Sequence, residues 1–365
     1  MRRLLTGPAV AAVLAMAPAY PALAELTIET IRASHPANVS GGDEEMVYEF
    51  PVVAGDSVAA LRINTYLHAV ELQKLPGRYQ ESIFEEVWPG MQPPFLGTTW
   101  LGFDEVSDEP GYISLALYYS YMAAYPSDGV RIYNFDAASG EPLVLSRLFT
   151  VDGFEKLRQR IIGDRLQRID DFLAGREIDS EGTTISDEPD IADEQRAIYS
   201  DCRENVATAD LGSSEMALET DRLKLTAPAC APHAQRAIDE LGIFDTHLAY
   251  DELQSVLNDY GHCLLIERRV DCPEDGDELR AGVYRGKIDN RFPITLVLQP
   301  NESAVYFYDK YAQAIPLNAS WQASDNLLLG ETGEIPARFE LRWSGGAITG
   351  TWTMEDKAPL SVELR

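Results

Sequence analysis

Apolar and polar positions change rhythm several times along the chain, and each rhythm predicts an element. Residues 45 to 54 read as a strand. Gly55-Asp56-Ser57 then offers a helix N-cap ahead of Val58, Leu61, Leu67 and Val70 at helical spacing. The Pro- and Gly-rich segment Trp88 to Phe95 interrupts the pattern. From Tyr112 to Tyr121 the alternation of Ile113, Leu115, Leu117 and Tyr119 against their neighbours predicts a strand. A second follows at Val130 to Phe135, then a turn at Asp136 to Gly140 and a third strand at Leu143 to Leu145, which together make a β-meander. Asp152 is placed to cap a helix reaching Leu173, with Phe154, Leu157, Ile161, Leu166, Ile169 and Phe172 on or near one face. Glu177 to Glu194 is acidic and lacks periodicity, so it reads as an exposed loop. A further helix is expected from Asp251 to Tyr260, with Gly261 at its C-terminal cap.

Beyond Cys272-Pro-Glu-Asp-Gly-Asp277 the texture becomes short strands with frequent turns. They are placed at 282–289, 292–299, 303–309, 313–322, 326–331, 336–343, 346–353 and 359–364. The fold expected is α+β, an antiparallel β-meander with flanking helices, followed by a small all-β antiparallel barrel or sandwich. The boundary falls near residue 275, giving units of 25–275 and 276–365 behind a leader of 1–24.

That leader opens Met1-Arg2-Arg3, continues through an apolar run and reaches Ala22-Leu23-Ala24 before the first acidic residue, Glu25. The order is that of a secretory signal peptide with cleavage after Ala24, and Pro8, Pro18 and Pro21 argue against a membrane anchor. No later segment approaches the roughly 20 apolar residues that span a bilayer, so a periplasmic or secreted protein without a membrane span is expected. Cleavage removes two arginines and no acid, taking the formal charge from −29 to −31. Such a surface repels phosphate backbones, which excludes nucleic acid as a partner, and it steers cationic partners inward.

Cys202, Cys230, Cys263 and Cys272 are even in number and suit an oxidising compartment. Close sequence neighbours meet at the smallest loop-closure cost, which favours Cys202 with Cys230 and Cys263 with Cys272. The rival is a metal site using Cys230-Ala-Pro-His233 and His262-Cys263, but no C-x-x-C knuckle is present. The carboxylates Asp187, Glu188, Asp190, Asp193 and Glu194 lack EF-hand spacing and read as a solvated charge run. His35, His68, His233, His247 and His262 are spread without ligand spacing. None of the nucleophile, phosphate or dinucleotide motifs occurs, so no catalytic residue, metal or cofactor is nominated. Aromatic residues are more informative: Tyr118, Tyr119, Tyr121 and Tyr125 crowd one hairpin, while Tyr306, Phe307, Tyr308 and Tyr311 crowd another. Most serve sheet packing, and Tyr118, Tyr121 and Tyr125 are the candidate binding face.

Leu115-Ala-Leu-Tyr-Tyr-Ser-Tyr121, Tyr133-Asn-Phe-Asp136 with Ser139-Gly140, Leu143-Val-Leu145, Leu148-Phe149 and Ile63-Asn64 carry a resemblance. Over roughly residues 40 to 265 the chain resembles the extracellular domain of unknown function found in RsiV-type anti-sigma factors and appended to some peptidoglycan deacetylases. Where that family joins its two strands with Gly-Gly-Ala-His, this chain reads Met122-Ala-Ala-Tyr125. The resemblance implies a non-catalytic binding role at the bacterial cell envelope, its partner an envelope polymer or a cationic protein such as lysozyme. The C-terminal part, from Gly282-Val-Tyr-Arg-Gly286 to Gly350-Thr-Trp352, resembles small ligand-binding meander barrels of the lipocalin or avidin type. An envelope hydrolase working through paired carboxylates is the alternative.

Overall fold

The computed structural model describes residues 26–36, 45–90, 96–107, 109–178, 183–273, 278–323, 325–332, 336–355 and 357–365. The leader, including its cleavage site, lies outside these residues, as do 91–95 of the breaker and 274–277 of the boundary segment.

Strand β1 (Ile28–Pro36) pairs antiparallel with β2 (Glu45–Val53) along its whole length. β2 leads into α1 (Val58–Glu71), where the expected cap is made: Ser57 Oγ accepts from the Ala60 N–H at 3.1 Å. Asn64 on α1 returns to β2, accepting from the Val53 N–H and donating to its carbonyl, both at 2.8 Å. The meander consists of β3 (Gly97–Ser107), β4 (Tyr112–Met122) and β5 (Pro126–Asp136). β3 also lies parallel to β2 through Tyr48 and Leu101, which gives one sheet in the order β1-β2-β3-β4-β5. β3 has no counterpart among the expected strands, and the strand expected at Leu143 to Leu145 does not form. Pro142 bridges to Phe135, and the chain then turns through a 3₁₀ segment at Leu145–Leu148. Leu145 and Leu148 are buried there, so their apolar character reports core contact rather than strand pairing.

Helix α2 (Val151–Leu173) runs as expected, but its cap is Thr150, whose Oγ1 accepts from the Gly153 N–H at 3.0 Å. Asp152 sits in the first turn, where its charge favours the helix dipole. The acidic stretch expected as a loop to Glu194 instead starts α3 (Pro189–Ala207), with Pro at the first helical position. Its buried face of Ala192, Gln195, Tyr199 and Cys202 keeps helical spacing and packs on α2 through Phe172. A small sheet follows, β6 (Glu215–Leu218), β7 (Arg222–Ala227) and β8 (Phe244–Ala249), and packs beside β5. The single helix expected from Asp251 is two: α4 (Tyr250–Leu253) and α5 (Asp259–Leu265), the second capped by Asn258. Gly261 lies inside α5 rather than at a helix end. Its lack of a side chain serves close packing, because a Cβ there would stand 2.0 Å from the Leu148 carbonyl oxygen.

Both expected disulfides are present, Cys202–Cys230 and Cys263–Cys272, with Cα separations of 5.4 and 5.6 Å. The sulfur ligands of the rival metal site are thereby consumed.

The C-terminal strands are β9 (Gly282–Ile288), β10 (Phe292–Leu298), β11 (Ser303–Tyr308), β12 (Ala314–Ala323), β13 (Asn326–Glu331), β14 (Arg338–Ser344), β15 (Ala347–Thr353) and β16 (Leu360–Leu364). All eight match expected positions to within about two residues. β16 pairs back to β9, so the meander closes as an antiparallel barrel and not a sandwich. Leu296, Tyr306, Leu329, Phe339, Trp352 and Leu364 fill its interior, as an eight-stranded barrel permits. The opposite parity on β9 to β11 places Val297, Val305 and Phe307 in the same apolar cluster as α1, whose other side meets Tyr48, Phe50, Leu115 and Phe135. Helix α1 is therefore a middle layer between sheet and barrel wall, and Arg285 Nη2 donates across that contact to Thr65 Oγ1 at 3.1 Å. Among the described residues no helix is long and apolar enough to cross a membrane.

Candidate binding surface

The residues that carry the family resemblance fold into anchors. Asn134 is buried, and its Oδ1 accepts from Ser114 Oγ at 2.8 Å and from the Leu218 N–H at 3.1 Å. Its amide donates to the Met216 carbonyl at 2.6 Å, so one side chain joins the large sheet to β6. Asp136 Oδ1 accepts from the N–H groups of Ala138 and Ser139 at 3.0 and 2.7 Å, and Oδ2 accepts from the Tyr260 hydroxyl at 2.6 Å. The turn ends at Gly140, with φ of 73°, where a Cβ would stand 2.5 Å from the Ala59 carbonyl oxygen at the start of α1. These side chains hold the fold, so any surface that meets a partner must be sought elsewhere.

The β4–β5 hairpin extends past the core. β4 is buried from Tyr112 through Leu117 and then opens to solvent. Tyr118, Tyr121 and Tyr125 are exposed by 36%, 38% and 78%, and they are joined by Trp100 on β3 at 42%. Cross-strand register assigns their faces, because side chains alternate along a strand. Trp100 lies opposite Ser120, and Tyr118 lies opposite Gly102 and Val130, so Trp100 and Tyr118 share one face. Tyr121 projects from the other face, and Tyr125 stands in the turn. The expected trio is therefore divided, and Trp100 is the member that sequence reasoning missed. The bulge between Thr98 and Trp100 breaks the alternation by which it would have been found.

Two glycines let rings lie flat on this end of the sheet. A Cβ at Gly102 would meet Trp100 Cζ2 at 2.8 Å, and one at Gly129 would meet the Tyr119 hydroxyl oxygen at 2.5 Å. Carboxylates flank the exposed pair. Partial burial and then Asp104 hold the Tyr118 hydroxyl above its usual pKa, and Ser120 Oγ donates to Asp128 at 2.5 Å. On the opposite face Glu71, at the end of α1, is buried and accepts from Arg131 Nη1 at 2.7 Å and from the Tyr133 hydroxyl. Burial would lower the Arg131 pKa, but Glu71 and then Tyr133 more than offset it. That guanidinium stacks 4.5 Å over the Tyr119 ring. The inner face is thus a closed charged anchor, whereas Trp100 and Tyr118 form an open aromatic pair with acids around it.

Among the described side chains the histidines do not gather. His35 lies tilted against Trp88 with ring centres 4.3 Å apart, His68 is buried in the core, and His262 faces Glu267 at 3.4 Å. Among the described residues no cluster of His, Cys, Asp and Glu suits a metal ion.

No family model matches the chain, and no curated protein matches it. Among solved structures, a member of the DUF3298 family from Bacteroides fragilis is 12% identical, with a TM-score of 0.43 over 67% of this chain and 97% of that one. A DUF3298 family protein from Pseudomonas aeruginosa is 13% identical, with a TM-score of 0.39 over 64% of this chain and 94% of that one.

Proposed function

We propose that this chain is an exported, non-catalytic binding protein of the bacterial cell envelope, with an RsiV-like first unit (25–275) and a barrel unit (276–365). Its partner is a cationic protein of the lysozyme kind, in preference to an envelope polymer. The observation that carries this reading is the exposed aromatic pair Trp100 and Tyr118, with Tyr125 beyond it, set among carboxylates on a body of charge −31 once the leader is removed. Aromatic side chains supply rigid contact area at low entropic cost, and the acidic surround steers basic partners toward them. The leader and the two disulfides support a periplasmic or secreted location.

The test is a titration of the mature protein with lysozyme at about 0.1 M and about 1 M salt, where the Debye length falls from about 10 to about 3 Å. An unrelated protein of equal negative charge serves as the reference. Binding weakens with salt but keeps a salt-resistant part supplied by buried aromatic contact. Trp100→Ala and Tyr118→Ala each remove about 1 to 2 kcal/mol of that part. Binding no tighter than the reference, or indifferent to both substitutions, rejects the proposal.

A further inference from the structure

Strand β1 leaves one edge of the large sheet open. It pairs with β2 from Ile28 to Pro36 in an unbroken register. The Ala54 N–H donates to the Thr27 carbonyl at 2.8 Å, which makes Thr27 and Ala54 a hydrogen-bonded pair. Bonded and non-bonded pairs alternate along an antiparallel ladder. Glu29, Ile31, Ala33 and His35 therefore turn their backbone groups to β2, while Ile28, Thr30, Arg32 and Ser34 turn theirs outward. Val53 agrees with this phase: opposite Ile28, it sends its own N–H and carbonyl away from β1, to Asn64. Among the described residues nothing pairs with the outer edge of β1. At the far edge of the sheet the end of β5 is covered, since the Leu143 N–H donates to the Asn134 carbonyl and the Asp136 N–H to the Glu141 carbonyl.

Open edges are usually blunted by a bulge, a central proline or an unmatched charge. β1 has none of these: its register is unbroken, its proline is the last residue, and Arg32 is met by Glu49 at 3.2 Å. Its own sequence supplies a mate. Laid antiparallel about a two-fold axis at Ile31, two copies place Thr30 against Arg32 and Ile28 against Ser34. Each outward N–H and carbonyl of one strand then finds its counterpart on the other. On the α1 side of the sheet Ile31 is 37% exposed, although it lies opposite the buried Phe50. In the paired sheet it meets Ile31 of the second copy, and Glu29 meets Ala33, so no like charges of β1 stand directly opposite. Shifting one strand by a single pleat would set Arg32 against Arg32, which cross-strand repulsion disfavours, and the opposite shift runs Ser34 past the start of the strand. We propose that β1 is a homodimerisation edge that joins two copies into one continuous antiparallel sheet, in the register centred on Ile31.

One strand pair covers less than the roughly 1,200 Å² of a stable complex. Each mature copy also carries −31, so the dimer is weak and tightens as salt screens the repulsion. Capture of a cationic partner has the opposite salt dependence, which keeps the two proposals apart. Sedimentation of the mature full chain at up to about 1 mM should show a monomer–dimer equilibrium that moves toward dimer between about 0.1 and about 1 M salt. Thr30→Pro removes an outward N–H and nothing from the β1–β2 ladder, and should weaken the dimer at least about tenfold. The facing pair at Ile31 is non-hydrogen-bonded, and Cα atoms about 4.5 Å apart in such pairs are close enough for a disulfide. Ile31→Cys should therefore give a covalent dimer on mild oxidation, whereas Ala33→Cys, which faces Glu29 of the second copy, should not. A chain that stays monomeric at both salt concentrations, a dimer that loosens with salt, or one unchanged in Thr30→Pro overturns the proposal. Equal cross-linking of Ile31→Cys and Ala33→Cys overturns it as well. If Thr30→Pro fails to fold, the cysteine pair decides.

Discussion

At the scale of single residues, two buried polar groups sit where burial works against them. Arg165 on α2 is buried, its Nε and Nη2 have no hydrogen-bond partner among the described residues, and Nη1 reaches Ser214 Oγ only at 3.4 Å. Burial pulls its pKa below the usual arginine value. Replacing a poorly compensated buried charge by an apolar side chain of similar length is commonly stabilising. Arg165→Met is therefore expected to raise stability by about 2 kcal/mol, read as an upward shift of the thermal midpoint. A downward shift would show that the guanidinium is better satisfied than its contacts indicate. His68 is the second case. It lies in the core edge-on to Phe50 at 5.4 Å, and burial lowers its pKa to about 4. The unfolded chain takes up that proton near pH 6.5, before the folded one does. Stability is thus unaffected above about pH 6.5 and falls as the pH drops toward 4, by at most about 1.4 kcal/mol per unit. His68→Leu removes this component. Urea unfolding at pH 7 and pH 4.5 should show a smaller difference in the variant than in the parent, and equal differences would refute the assignment.

Elements were legible where one physical signal dominated them. Most barrel strands announce themselves because a closed antiparallel sheet has one wet and one dry face, so alternation survives on β9 and from β12 to β16, while β10 and β11 read as continuous apolar runs because α1 covers their outer face. Helix α1 was legible from its Ser57 cap and from Leu67, although Val58 and Leu61 of the expected face are exposed and Ile63 and Tyr66 supply the burial instead. β1 escaped because it is an edge strand exposed along most of its length, and a side-chain pattern cannot record a strand that buries so little. α3 escaped because acidic side chains, which suit the first turn of a helix, look like loop when read for polarity alone. Its stripe of Ala192, Gln195, Tyr199 and Cys202 was present but contains two polar residues that act as core. The candidate surface was half legible: the clustered tyrosines singled out the β4–β5 hairpin, but their division between faces and the presence of Trp100 beside Tyr118 depend on register and a bulge. Glycine shows the same limit. Gly261 looked like a helix terminator and is a close-approach position, whereas Gly163 in mid-α2 has nothing within 4 Å of the place a methyl would occupy. Gly163→Ala should stabilise by about 0.5 to 1 kcal/mol. Gly261→Ala should cost several times that, or prevent folding, because the Leu148 carbonyl cannot move without dragging its chain. Comparable melting temperatures for the two variants would contradict this reading.

At the scale of the whole molecule, the two units differ in what they need from one another. The barrel contains all eight of its strands and the closing pair of β9 with β16, so the ladder hydrogen bonds of the ring lie within residues 282–365. Its interior core is likewise its own. Its outer wall is not, since Val297, Val305 and Phe307 are covered only because α1 lies on them. α1 in turn is buried on nearly every side, so removal of the barrel strips one wall from a helix that the large sheet also needs. The sequence boundary near residue 275 therefore separates two hydrogen-bonding systems but cuts through a shared apolar core. A fragment of residues 277–365 should give a strand-type circular dichroism spectrum and yet self-associate, because an exposed patch of this kind seeks cover. Val297→Thr with Phe307→Ser, both on the outer face, should return the fragment to a monomer in sedimentation while leaving its spectrum unchanged. The same pair placed in the full chain should destabilise it by about 3 kcal/mol or more, since there the side chains are core. A fragment that is monomeric without these changes would mean that the α1 contact contributes little. An unfolded fragment would mean that the barrel depends on α1 for its closure as well as for its cover.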